Sequence, residues 1–158
     1  MKELHSEIEI DASAERVWDI LTDFASYPRW NPFIRRIGGE LEVGERLEVR
    51  LQPPDSQGIT MRPTVLRAEP NRLMRWVGHL FVPGIFDGEH SFAIHPLGED
   101  LVRFVQHEAF KGMIVRLLSR SLDTNTLRGF EEMNGALKER AEALPEGIDP
   151  RTSETLHG

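Results

Sequence analysis

The sequence contains no cysteine. That absence excludes disulfides, thiolate nucleophiles and cysteine-ligated metals together. No apolar run approaches the roughly twenty residues a membrane helix needs. The N-terminal MKELHSEIEI has acidic residues where a signal peptide places its apolar core. A cytoplasmic location is expected, with no integral membrane association. Basic residues are in the minority: 19 Lys and Arg stand against 26 Asp and Glu, a formal net charge of −7. A nucleic-acid surface needs clustered cations, so no nucleic-acid partner is expected. Arg116, Arg120 and Arg128 lie near one another, and a solvated helix face accounts for them. No His-x-x-x-His or Asp/Glu/His spacing offers a metal site. The glycines of Pro83-Gly84 and Asp87-Gly88 are not followed by the strand–helix unit of a phosphate loop. No G-x-S-x-G nucleophile motif occurs. The expectation is therefore no metal and no cofactor.

What is present is most ordered at the two ends. Residues 8–32 read IEIDASAERVWDILTDFASYPRWNP. Ile8 and Ile10 alternate with Glu7 and Glu9, as in a half-buried strand. Asp11 and Ser13 are helix-start residues, and Glu15 suits the partly positive first turn. Val17, Ile20, Leu21 and Phe24 share one helical face. Pro28 and Pro32 prevent a long continuation, since neither has a backbone donor. From there to residue 111 the pattern predicts strands at 33–37, around Leu47, Val49 and Leu51, and at 59–68, 73–82, 86–95 and 101–110. Pro63 marks an edge or a bulge. The connections are brief, so successive strands should be antiparallel; a parallel crossover needs a dozen or more residues.

Residues 113–143 form a long proline-free helical pattern. Val115, Leu122, Thr126, Phe130, Met133, Leu137 and Ala141 fall on one stripe at helical spacing, flanked by Leu118 and Gly129. Most of these are expected to be core contacts on a sheet. Gly129 and Gly135 each cost about 1 kcal/mol against alanine in a helix. Small residues facing a sheet, with the polar Thr126 among them, predict room for a pocket. The domain is expected to span 1–143, with 144–158 a flexible polar tail.

Three blocks carry a resemblance: AERVWDILTD (14–23) with YPRWNP (27–32), RWVG (75–78) with PGIFDGEHSF (83–92), and RFVQHEAFKG (103–112). Set in the order strand, two short helices, six strands, long helix, they resemble the START-like (SRPBCC, helix-grip) superfamily, nearest its polyketide cyclase/dehydrase-type branch of small bacterial proteins. The resemblance implies an α+β helix-grip fold, a seven-stranded curved antiparallel sheet around the C-terminal helix. It also implies a deep, mostly apolar cavity between the two. The function it implies is binding, transport or sensing of a hydrophobic small molecule or lipid, by a monomer or homodimer. The alternatives are a polyketide cyclase/dehydratase-like enzyme and a co-chaperone-like interaction module.

The residues add a candidate site. A symmetric turn at residues 97–100 places Ile94 opposite Phe104, Phe92 opposite Gln106 and His90 opposite Glu108, all on one face. A turn near Pro83 brings Trp76 beside His90. A one-residue slip would instead set His90 against His107 and turn Glu108 outward. His90 and Glu108 are the candidate acid–base pair, because a carboxylate can orient an imidazole and raise its basicity. The competing reading is that they satisfy each other, or anchor a ligand, without chemistry. It is preferred, because polar groups in pockets commonly fix orientation. Trp76, Phe92, Phe104, Gln106, Thr126, Phe130, Met133 and Trp30 are the ligand-binding candidates. Trp18 and Trp30 are expected to pack early helices on the sheet rim; Tyr27, Trp30 and Phe33 form an alternative set for a cavity mouth. His79 and His95, at strand ends, are expected on the surface.

Overall fold

The computed structural model describes residues 1–80, 84–115 and 122–143. Strand β1 (Lys2–Ile10) has the alternation its sequence dictates, with Leu4 and Ile10 buried and Glu3, Glu7 and Glu9 exposed. Helix α1 (Ala14–Thr22) starts at Ser13, whose hydroxyl accepts a 3.1 Å bond from the Arg16 N–H. It buries Val17, Trp18 and Leu21. Phe24 falls beyond it, in a 3-10 turn. Helix α2 (Tyr27–Trp30) carries Pro28 in its first turn, where a missing donor is harmless. Tyr27 is fully buried and its hydroxyl donates to the Leu21 carbonyl. Burial, with Asp23 nearby, holds the phenol pKa well above its usual value. Phe33 is buried too. Tyr27 and Phe33 are core residues, which removes them from any cavity mouth.

Among the described residues eight strands form where seven were expected. After β1 come β2 (Ile34–Gly38), β3 (Glu48–Leu51), β4 (Ile59–Met61), β5 (Thr64–Glu69), β6 (Leu73–Leu80), β7 (Phe86–Gly98) and β8 (Leu101–Lys111). The additional strand arises because the 59–68 segment breaks at Arg62-Pro63, and proline cannot donate to a ladder. Five strands form one sheet in the order β1-β8-β7-β6-β5, and three form another, β2-β3-β4. Among the described residues every strand pairing is antiparallel. Backbone bonds tie the sheets together. Leu47 N–H donates to the Pro63 carbonyl at 2.9 Å, and Val65 N–H to the Glu45 carbonyl at 2.8 Å.

The closing helix α3 (Leu127–Glu142) follows a π-helical turn, Leu122–Thr126. Residues 116–121 lie outside the described residues, and with them Arg116, Leu118 and Arg120. So do the Leu122 side chain, Val82, Pro83 and the 144–158 tail. Phe130, Met133 and Leu137 are fully buried against the sheet, and Ala141 nearly so. The expectation that Gly129 leaves an empty space is corrected. A Cβ there would overlap the Phe33 ring at Cδ2, so that ring already fills the gap. A Cβ on Gly135 would meet nothing within 4 Å, so open space does lie at this glycine. The helix end is held from α1: Arg16 donates to the carbonyls of Ala141 at 2.5 Å and Ala143 at 2.8 Å. Among the described residues no helix is long and apolar enough to cross a membrane.

Candidate functional site

The β7–β8 hairpin turns at Glu99-Asp100 and pairs His90 with Glu108, Phe92 with Gln106 and Ile94 with Phe104. This is the register of the symmetric turn. A bulge lies between Pro96 and Gly98, at the turn end of the hairpin, and leaves the pairing at His90 intact. Strand β6 sets Trp76 opposite His90, and β1 sets Ser6 opposite Gln106. The alternation of side chains then directs all these residues to the face covered by α3.

A continuous line of polar groups crosses this face. His90 Nδ1 lies 2.9 Å from Glu108 Oε2, and His90 Nε2 lies 3.0 Å from Gln106 Oε1. Gln106 Nε2 donates to Asn134 Oδ1 at 2.8 Å and to the Phe130 carbonyl at 3.3 Å. Asn134 Nδ2 donates to Ser6 Oγ at 2.9 Å. His90, Gln106 and Asn134 are all buried. A peptide carbonyl can only accept, so the Phe130 carbonyl fixes which end of the Gln106 amide faces it. The Gln106 oxygen must then face His90, and His90 Nε2 must carry hydrogen. The remaining nitrogen, Nδ1, meets a carboxyl oxygen at hydrogen-bond distance. One proton lies between them, whether as imidazolium and carboxylate or as imidazole and carboxylic acid. Both ring nitrogens are thereby engaged by the protein.

Aromatic rings enclose the imidazole. Phe92 stacks on it at 4.1 Å with 10° between planes, and Phe130 and Trp76 stand at 4.8 and 5.8 Å. Trp76 also meets Phe92 edge-on at 5.0 Å. Such an enclosure suits a ring that shares a cationic proton, because aromatic faces are electron-rich. Phe104 lies behind Phe92 at 6.4 Å, and Met133 is buried in the same core. Thr126 and Trp30 are not brought to the cluster. Thr126 is half-buried in the π-helical turn, with no hydrogen bond to the network among the described residues. Trp30 packs edge-on against Tyr27 at 5.1 Å, and its indole N–H is buried without a partner among the described residues.

Three participants escape sequence reasoning: Asn134, Ser6 and Gly88. Asn134 carries a usable signal, since it stands four residues after Phe130 and three before Leu137, a polar residue on the apolar stripe. Gly88 matters by having no side chain. A Cβ there would lie 2.6 Å from Glu108 Oε1 and 3.5 Å from the Phe110 ring. The second carboxyl oxygen of Glu108 therefore rests over Gly88, beside Phe110. No described residue hydrogen-bonds it, and the Glu108 side chain remains 12% exposed. A 580 Å³ cleft at this end of the sheet is lined by Phe110, Val115, Met113 and Lys2, among others. A 390 Å³ groove lies on the opposite face of the sheet, where His79 Nδ1 stands 2.7 Å from Asp87 Oδ1. That contact, aided by the Gly84 N–H, holds the Asp87 carboxyl below its usual pKa against a smaller opposing effect of desolvation. His95 is exposed. Among the described residues no group of three or more His, Asp or Glu side chains could hold a metal ion.

An antiparallel sheet gripping a long C-terminal helix, with two short helices after the first strand, defines a helix-grip, START-like domain. A family model described as polyketide cyclase/dehydrase and lipid transport matches residues 1–142, and the chain belongs to that family. Among solved structures it is similar to a START superfamily protein from Mycobacterium smegmatis, with 22% identity and a TM-score of 0.68 over 89% of this chain and 97% of that one. It is also similar to the Zhui aromatase/cyclase from Streptomyces sp. R1128, with 14% identity and a TM-score of 0.71 over 93% and 99% of the two chains. A norcoclaurine synthase from Thalictrum shares 16% identity and a TM-score of 0.68 over 89% and 93%. At these identities the structural likeness concerns the fold. No curated protein matches the sequence.

Proposed function

We propose that this chain binds a hydrophobic small molecule or lipid on the inner sheet face, reached beside Phe110, and holds it without turnover. The observation that carries this reading is the state of His90. Both its nitrogens are engaged by protein partners, so neither is open to take a proton from a substrate. A buried polar line inside an aromatic shell is suited to orienting an apolar ligand through one group. A ligand that reached the imidazole would lie against Trp76, Phe92 and Phe130, with Phe104, Gln106 and Met133 packed in the core around them. Met1 and Met113, each 80% exposed, give the 580 Å³ cleft an apolar lip. The family description, which includes lipid transport, agrees with a carrier.

A cyclase- or dehydratase-like activity is the second reading. The proton held over 2.9 Å between His90 and Glu108 favours it, since such a pair could release or take up a proton at Glu108. The two readings separate experimentally. Native mass spectrometry of freshly purified protein should reveal a co-purifying lipophile. Its readdition should raise the unfolding temperature by mass action, by about 2.7 kcal/mol of stability at a hundredfold excess over Kd. A broad lipophile screen that yields neither co-purification nor stabilisation would end the binding reading. An enzyme would instead lose turnover by roughly 10²–10⁴-fold in Glu108→Gln.

A further inference from the structure

The geometry points to a ligand that carries a hydrogen-bond donor, a hydroxyl, phenol or amine on an apolar body, and delivers it to Oε1 of Glu108. This inference rests on the binding reading above and narrows it to a chemical class.

The polarity of the network sets the polarity of its free end. The Phe130 carbonyl accepts from Gln106, Gln106 accepts from His90 Nε2, and His90 Nδ1 shares one proton with Glu108 Oε2. If that proton sits on the nitrogen, Glu108 is a carboxylate and Oε1 offers only lone pairs. If it sits on Oε2, then Oε1 is the carbonyl oxygen of the acid and again offers only lone pairs. Oε1 is an acceptor in both cases. It has no partner among the described residues and rests over Gly88, where the missing side chain leaves it room. The Phe110 ring borders the same Gly88 position and lines that cleft. An apolar molecule that passes Phe110 and reaches Glu108 meets Oε1, and that atom accepts. A ketone, ester or ether presents a second acceptor and leaves Oε1 desolvated without a bond, which is costly in a partly buried site. A carboxylate adds repulsion between two electron-rich oxygens. Lys111 at the cleft would by itself favour an acid, so a ligand series decides which interaction governs selection.

The test is a matched series on the full chain, measured by calorimetric titration: 4-hexylphenol against 4-hexylanisole, and 1-decanol against decanoate and methyl decanoate. The phenol and alcohol should bind about tenfold or more tightly than their acceptor-only counterparts, the ratio expected for a hydrogen bond to a charged or strongly polarised group. Glu108→Gln should keep this preference. Its amide nitrogen would turn to His90 Nδ1, leaving the amide oxygen in the place of Oε1. Glu108→Met should abolish the preference; because that variant leaves Nδ1 unpaired and can fail to fold, the wild-type series stands as the primary measurement. Equal binding of phenol and anisole, or preference for decanoate, overturns the inference while the binding reading survives. Absence of binding by every member of the series overturns both.

Discussion

The hydrogen on His90 Nε2 is set by groups one bond further along the network. Asn134 and the Phe130 carbonyl fix the Gln106 amide, and that amide fixes the hydrogen on Nε2. Asn134→Leu keeps the approximate volume while removing both ends of the link. It should cost about 1–3 kcal/mol, because Gln106 and Ser6 lose partners in a buried site. It should also blur the Nε2–H tautomer, read from imidazole ¹⁵N shifts. Unchanged stability together with an unchanged imidazole spectrum would show that the link has no such role. On the opposite sheet face, Asp87 has a lowered pKa, first because of His79. A carboxyl whose folded value lies below its unfolded value of about 3.9 stabilises the fold above that pH. The contribution is lost as pH falls through the lower, folded value. Asp87→Asn should therefore flatten the acid side of the stability curve below about pH 4. In His79→Ala, the Asp87 titration followed by ¹³C NMR should move up toward an ordinary carboxyl; no movement would mean that the 2.7 Å contact does not form in solution.

At the scale of elements, the two glycines of α3 have opposite roles. In the helix interior, alanine is favoured over glycine by up to about 1 kcal/mol. At Gly135 a Cβ meets nothing within 4 Å, so Gly135→Ala should stabilise by close to that amount. At Gly129 the Cβ would overlap Phe33, which is 1% exposed and cannot move aside. Overpacking costs roughly 1–3 kcal/mol, so it outweighs the propensity gain and Gly129→Ala should destabilise. Urea unfolding of both variants checks the pair, and a shared sign would contradict the packing described. The contrast also explains what can be read from sequence. The strand pairing at His90 is legible, because the turn position and the period of two leave one symmetric register. The split of 59–68 is half legible: Pro63 flags a break, but only three-dimensional pairing shows two strands belonging to different sheets. The filling of Gly129 is not legible, since Phe33 lies far away in the chain and no local pattern links them. Asn134 lies on the buried stripe, yet a stripe defined by its apolar members passes over it. The place of Glu108 Oε1 depends on an absent side chain at Gly88, and an absence shows no periodicity.

At the scale of the whole molecule, the first helix holds the end of the last. The final carbonyls of a helix lack internal partners and carry partial negative charge, so a cation donating to them is favoured twice. Arg16 does this from α1, reaching the Ala141 and Ala143 carbonyls across more than a hundred residues of chain. Lysine could not reproduce the contact, since it lacks the planar fork that reaches several carbonyls together. Arg16→Met should therefore cost about 1.5–3 kcal/mol, as expected for hydrogen bonds to a charged group. Its effect should also be bounded in space. Phe130, Met133 and Leu137 are fully buried between Arg16's contacts and the π-helical turn, and they anchor the helix independently of its C-terminal turn. Hydrogen exchange should accelerate at 139–143 while amides near Asn134 keep their protection, and the His90 imidazole spectrum should stay as in the wild type. If loosening the helix end also disturbs that imidazole, the grip and the polar line are one cooperative unit, and the separation argued from burial fails.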